Sequence, residues 1–229
     1  MKLLIIANWK CNPKTLKEAK ILFNKVRNNV KNVKKVEVVI APPFVWLPNL
    51  KGMILASQDC AWKDCGPYTG EVSPQMLKDF RVKYVIIGHS ERRIHFKETD
   101  EMINKKLKAV LKAGLKPILC TGEKRGESAE KIISNQLKKD LRGVLKRDLK
   151  KIVIAYEPVW AIGTGDFCKP EMAKRALYFI KKKTNARVLY GGSVNSKIAK
   201  NYIKVGFNGL LVGGASLNAQ EFITIVKNA

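Results

Sequence analysis

Acidic side chains are scarce beside basic ones in this 229-residue chain: 19 Asp and Glu stand against 44 Lys and Arg, a formal charge of +25. Long apolar runs are absent too, and none reaches the roughly 20 residues that a membrane-spanning helix needs. Met1 to Lys10 passes from an apolar strand straight into a polar Asn-Trp-Lys, without a signal-peptide cleavage region. The expectation is a soluble, cytoplasmic protein with no membrane partner. Cysteine is limited to Cys11, Cys60, Cys65, Cys120 and Cys168, an odd number that argues for free thiols over a disulfide framework. Cys60 and Cys65 lack a second pair, and His89 and His95 are the only histidines, a poor metal pair, so no metal is expected. Neither a dinucleotide G-x-G-x-x-G nor a G-x-x-x-x-G-K-[ST] loop occurs, which argues against nucleotide use. No linker divides the chain, and residues 1–229 read as a single domain.

The excess of positive charge invites a nucleic-acid reading, but its distribution opposes it. Lysines are spread along Lys14 to Lys35, Lys105 to Lys112, Lys138 to Lys151 and Lys181 to Lys183, without interleaved aromatics or a binding module. They read as solvated helix faces, and no nucleic-acid partner is expected. What remains is attraction of small anions, screened over about 10 Å at moderate ionic strength.

What is present is a regular alternation. Short apolar runs at Leu3 to Asn8, Val36 to Ala41, Ile54 to Gln58, Tyr84 to Gly88, Lys116 to Cys120, Ile152 to Glu157, Ala186 to Tyr190 and Gly209 to Val212 read as strands. Between them lie helical periodicities, such as Leu16, Ala19, Phe23 and Val26, then Ile103, Leu107, Val110 and Leu111, then Ile133, Leu137, Leu141 and Val144. Ser73-Pro74 and Ser196 read as helix starts and Gly114 as a helix end. Strands alternating with helices imply an α/β fold with parallel pairing, for which a closed eight-stranded barrel is the natural solution; pattern alone also allows an open doubly wound sheet.

The most informative stretch is Lys151 to Gly165. Its apolar strand ends on a carboxylate, Glu157, and Pro158 forces the chain out of the sheet. At the mouth of an apolar cleft, loss of hydration makes a carboxylate a stronger base. A helix cap or a salt-bridged Glu is an equal alternative on position alone. Other polar residues also stand at strand ends, namely Asn8, Lys10, His89 and Glu91. On their own, His89 reads as a polar core residue, Lys10 as one more solvated lysine and each Gly pair as a plain turn.

Taken together the motifs say more. Ala7-Asn8-Trp9-Lys10, Gln58-Asp59-Cys60, Tyr68-Thr69-Gly70-Glu71-Val72-Ser73, Ile87-Gly88-His89-Ser90-Glu91-Arg92-Arg93, Cys120-Thr121-Gly122-Glu123, Ala155 to Gly165, Tyr190-Gly191-Gly192-Ser193-Val194 and Leu211 to Ser216 occur in order. Through them the chain resembles the triosephosphate isomerases over essentially its whole length. The resemblance implies a (β/α)8 TIM barrel that interconverts dihydroxyacetone phosphate and glyceraldehyde 3-phosphate through an enediolate, without cofactor or metal. By the same resemblance Glu157 is the base and His89 a neutral electrophile, with Lys10 a fixed positive charge, Asn8 a nearby donor and Glu91 the ion-pair partner of Lys10. Phosphate would rest on Gly163, Ser193, Gly213 and Gly214. Val159 to Thr164 would form a lid, with Trp160 pairing with Glu123 when open and Tyr190 latching the closed state; Cys120 belongs to the supporting residues. The loop carrying Thr69 resembles one that docks into a second subunit, so a homodimer is expected, with Thr69 steadying Asn8 and Lys10 of the partner subunit.

The chain departs from the family pattern in three places. Asp166-Phe167-Cys168 replaces a Lys-Thr-Ala hinge, Lys124-Arg125-Gly126-Glu127 replaces an acidic run, and the span from Glu157 to Ser193 is short, which implies a trimmed sixth helix and connection. Two other functions were weighed. A phosphate-binding barrel with different carbonyl chemistry predicts the loss of Asn8, Lys10 or His89, and none is lost. A basic polyanion binder that merely retains a barrel predicts salt-sensitive binding without competition by a small phosphate.

Overall fold

The computed structural model describes residues 2–163 and 166–229. In chain order the elements are β1 (Leu3–Asn8), α1 (Leu16–Val30), β2 (Val36–Ala41), β3 (Ile54–Ser57), α2 (Pro74–Asp79), β4 (Tyr84–Ile87), α3 (Ser90–His95), α4 (Asp100–Lys112), β5 (Lys116–Thr121), α5 (Ala129–Asp140), α6 (Lys146–Leu149), β6 (Val153–Tyr156), α7 (Pro170–Lys183), β7 (Arg187–Tyr190), α8 (Ala199–Lys204), β8 (Gly209–Val212) and α9 (Ala219–Asn228). Each strand pairs in parallel with the next. β8 returns to β1 through Leu4 opposite Gly209 and Ala7 opposite Val212, so the sheet is closed and the open alternative is excluded.

Strand period explains the layering. Successive side chains point to opposite faces, so Leu4 and Ile6 of β1, Tyr84 and Ile86 of β4, Ile118 and Cys120 of β5, and Val153 and Ala155 of β6 fill the barrel interior. Ile5, Ala7, Val85, Ile87, Leu119 and Ile154 belong to the outer layer, with helix residues such as Phe23, Leu107 and Leu137. Both faces of the strands are therefore largely apolar, which is why they read as mostly hydrophobic runs. Gly209 allows the barrel to close tightly, because a Cβ there would lie 1.8 Å from the Leu4 carbonyl oxygen.

Local signals set most of the helix limits. Thr15 and Glu18 form a reciprocal capping box at α1. Ser73 accepts from the Met76 N–H ahead of Pro74, and Gly114, with φ +82°, follows α4. Two expectations are corrected. Ser196 does not open a helix: its N–H and hydroxyl both bind Glu221, at 2.6 and 3.0 Å, and Asn195 Oδ1 accepts from Lys197 and Ile198 before α8 starts at Ala199. The periodicity through Leu141 and Val144 outruns its helix, since α5 ends at Asp140 and Gly143 takes φ +73°. In the span after Glu157 that is expected to be short, α7 has 14 residues and lies close in sequence to β7.

The lysine run also needs correction at one position. Lys106 is 2% exposed, on the same α4 face as Ile103, Leu107 and Val110. Its ammonium donates to Asp59 Oδ1 and Oδ2, at 2.8 and 2.7 Å, and to Glu98 Oε1 at 2.5 Å. Arg92 Nε reaches the same two carboxylates, at 2.9 and 2.6 Å. Among the described residues no helix is long and apolar enough to cross a membrane.

Candidate active site

The alternation that fills the barrel also aims the site. The interior parity runs to Asn8, the last residue of β1, and to Glu157, just past β6, both buried at the carboxyl end of the barrel. His89 has the opposite parity. Gly88, with φ +70°, breaks the alternation before it, and a Cβ at Gly88 would press on Ile103 and Arg93 at 3.1 and 3.2 Å. His89 then caps α3 and lines a cavity of about 390 Å³ shared with Asn8, Lys10, Gly163, Ser193, Gly213 and Gly214.

Lys10 sits in the left-handed region at φ +53°, a conformation that a side chain with a Cβ adopts only when its surroundings enforce it. They do so here: its N–H donates to Asn8 Oδ1 at 3.1 Å, and its carbonyl accepts from Gln58 Nε2 at 2.8 Å. The ammonium donates to Glu91 Oε1 at 2.5 Å. Burial pushes the Glu91 carboxyl upward, but the Lys10 hydrogen bond and the nearby positive charge outweigh burial and hold it below the usual range. Gly213 lets Lys10 pass closely, since a Cβ there would be 3.2 Å from Lys10 Cε.

Glu157 and the His89 imidazole are neighbours. Glu157 Oε2 accepts from the Ser90 N–H at 3.0 Å, and Oε1 lies 3.3 Å from His89 Nε2. His89 Nδ1 accepts from the Glu91 N–H at 3.2 Å, so the ring carries its proton on Nε2, facing the carboxylate and the cavity. Gly122 is required by the backbone of Glu157: a Cβ there would lie 1.8 Å from the Glu157 carbonyl oxygen, while the Glu157 N–H is bound to Thr121 O at 2.8 Å. Cys120 is fully buried below. Burial first, and the Glu157 carboxylate second, push its thiol well above the ordinary range, so it remains an S–H.

The loop after Glu157 is held from two sides. Trp160 Nε1 donates to Glu123 Oε1 at 3.1 Å, and Tyr156 OH donates to the same oxygen at 3.0 Å. Burial outweighs both bonds and raises the Glu123 carboxyl. On the other side the Ser193 N–H donates to Ala161 O at 3.1 Å and the Gly163 N–H to Ser193 Oγ at 3.2 Å. Thr164, the last residue of the expected lid, lies outside the described residues, as does Gly165. Tyr190 is wholly buried, stacked on Tyr202 at 3.7 Å and covered by Gly192, where a Cβ would meet its hydroxyl at 2.3 Å. Thr69 lies apart from this cluster, within the exposed residues 63–71.

Sequence reasoning missed several contributors. Ser90 and Gln58 hold Glu157 and Lys10, and Leu211 and Gly191 line the cavity; all four stood inside recognised motifs without an assigned role. Phe167, in the divergent hinge, lines the cavity as well.

Acid–base groups at the carboxyl ends of barrel strands, beside a glycine-walled pocket with a fixed cation, define a barrel enzyme that moves protons on a small anionic substrate. The family model for triosephosphate isomerase matches residues 3–229. The chain is 43% identical over 246 aligned positions to a triosephosphate isomerase of Dictyoglomus turgidum, covering 98% of both chains. It is 42% identical over 247 positions to one of Fusobacterium nucleatum, covering 99% of this chain and 98% of the relative. Against one of Clostridium botulinum it is 42% identical over 245 positions, with 98% of both covered. The chain belongs to the triosephosphate isomerase family and is an isomerase. The 246 aligned positions exceed its own 229 residues, so the relatives carry residues that it lacks.

Proposed function

We propose that residues 1–229 act as one isomerase domain that interconverts dihydroxyacetone phosphate and D-glyceraldehyde 3-phosphate, the triose phosphates of glycolysis and gluconeogenesis. The observation that carries this reading is the approach of Glu157 Oε1 to 3.3 Å from His89 Nε2, with His89 lining a cavity that Lys10 also lines. Glu157 takes a proton from one substrate carbon and returns it to the neighbouring carbon. His89 donates its Nε2–H to the oxygens on those carbons, and as a neutral ring it can pass that proton on and recover it. Lys10 and Asn8 face the negative charge that develops on the enediolate, where a preoriented cation stabilises it most.

Gly163, Ser193, Gly213 and Gly214 surround the space for the phosphate, where backbone N–H groups can approach an anion closely. The loop through Gly163 shields the enediolate from water. Trp160 anchors that loop, Tyr190 supports the strand end beneath Gly192, and Cys120 and Glu91 steady Glu157 and Lys10. A coupled assay of glyceraldehyde 3-phosphate conversion tests the reading. Turnover that inorganic phosphate inhibits competitively supports it, and a folded enzyme without turnover sinks it.

We also propose a cytoplasmic homodimer. Residues 63–71 stand exposed, including Tyr68 at 40%, and a second copy of the chain would cover them through Thr69. Sedimentation equilibrium is expected to give twice the 25.8 kDa chain mass. A fully active species at the single-chain mass would refute the dimer.

A further inference from the structure

Two of the stretches in which this chain departs from the family pattern lie against each other. Arg125 Nη2, on the loop after β5, donates to Asp166 Oδ2 at 2.7 Å. The same guanidinium lies over the Trp160 ring, its carbon 5.4 Å from the centroid. One side chain therefore touches residues on both sides of the loop that follows Glu157. The platform beneath it is braced, since the Lys124 N–H donates to Glu127 Oε2 at 2.7 Å and the Glu127 N–H to the Lys124 carbonyl at 3.1 Å.

The loop is thus attached on two sides at once. Ser193, which holds Ala161 and Gly163, belongs to the wall of the catalytic cavity with Lys10, His89 and Gly213. Arg125, Glu123 and Trp160 line a different cavity of about 560 Å³, shared with Arg175 and Phe179 of α7. Contacts to Ser193 tie the loop to the wall of the catalytic cavity, and contacts to Arg125 tie it to the loop after β5.

We propose that Arg125 is a positioning residue for the isomerase reaction: through Trp160 and Asp166 it biases the loop toward β5 and so weakens the grip of Gly163 and Ser193 on phosphate. This rests on the phosphate role given above to those two residues. Both members of the ion pair are well exposed, at 70% and 60%. A pair in that setting is worth only a small factor, even with a cation–π contact beside it. The expected change is therefore a few-fold.

The probe is inorganic phosphate, measured as a competitive inhibitor of isomerisation alongside KM, for wild type, Arg125→Gln, Asp166→Asn and the double variant. Long-range charge and local clamping differ in sign. If Arg125 acts only by attracting anions, Arg125→Gln weakens phosphate binding and Asp166→Asn strengthens it. If it clamps the loop, both substitutions strengthen phosphate binding and lower KM by about two- to five-fold. The double variant then goes no further than the stronger single one, because the contact between the two residues is lost only once. Arg125→Lys, which keeps an ion pair, stays closer to wild type. Changes of opposite sign, or none, overturn the proposal. Phosphate that fails to compete with substrate in wild type overturns the phosphate reading first, and this proposal with it.

Discussion

Glu157→Gln is expected to lower kcat by about 10³- to 10⁴-fold, the upper part of the range for loss of a general base, with little change in KM. The substitution keeps shape while removing basicity. A Gln carbonyl can still accept from the Ser90 N–H, now 3.0 Å from Glu157 Oε2, so the buried side chain retains one partner. The other end becomes an NH₂ group facing His89 Nε2, where a carboxylate oxygen stands at 3.3 Å. Two donors then confront each other, while the imidazole keeps the Glu91 N–H on Nδ1. The residues proposed to hold phosphate are separate from this pair, so ground-state binding should be preserved and the loss should fall on the transition state. Steady-state rates from the coupled assay decide it. A rise in KM with kcat unchanged would make Glu157 a binding residue and leave proton abstraction without a base.

Much of this site was legible because strands enclosed on both faces write themselves as apolar runs, and the residues that interrupt such runs mark the carboxyl ends. Asn8, His89 and Glu157 stand out in that way, and the resemblance to the family supplied the roles proposed for them. What stayed hidden involves groups that residue type does not encode. The donor that holds Glu157 is the backbone N–H of Ser90, and every non-proline residue has one. Gly122 stood in a recognised motif, but the reason for a glycine there is the backbone of Glu157 passing 1.8 Å from the missing Cβ. Arg125 and Asp166 looked like unrelated departures, because nothing in linear order brings the loop after β5 to the hinge after β6. Lys106 was misread for the opposite reason. It lies among solvated lysines, and only its helical phase with Ile103 and Val110 separates it from them.

Lys106→Ala is accordingly expected to destabilise the fold by about 3–5 kcal/mol, the range for removing one partner of a buried ion pair. The side chain is 2% exposed, and its ammonium makes three hydrogen bonds to Asp59 and Glu98. Without it, two buried carboxylates share Arg92 alone, whose Nε already reaches both. Methionine would not rescue the site, since the penalty comes from the unmatched charges and not from lost volume. Adding Glu98→Gln to Lys106→Met should recover part of the loss by removing one of those charges. Urea unfolding midpoints of the three variants test this order, and a loss below about 1 kcal/mol for Lys106→Ala, the scale of an exposed pair, would show that the network is solvated in solution. The network also bears on the chemistry. Arg92 belongs to α3, the short helix that presents the Ser90 N–H to Glu157 and the Glu91 carboxylate to Lys10. Asp59 follows β3, and Lys106 belongs to α4, so these charges fix α3 against two neighbours. In the folded fraction, Lys106→Ala should therefore lower kcat several-fold more than it raises KM, through displacement of the two groups that α3 contributes.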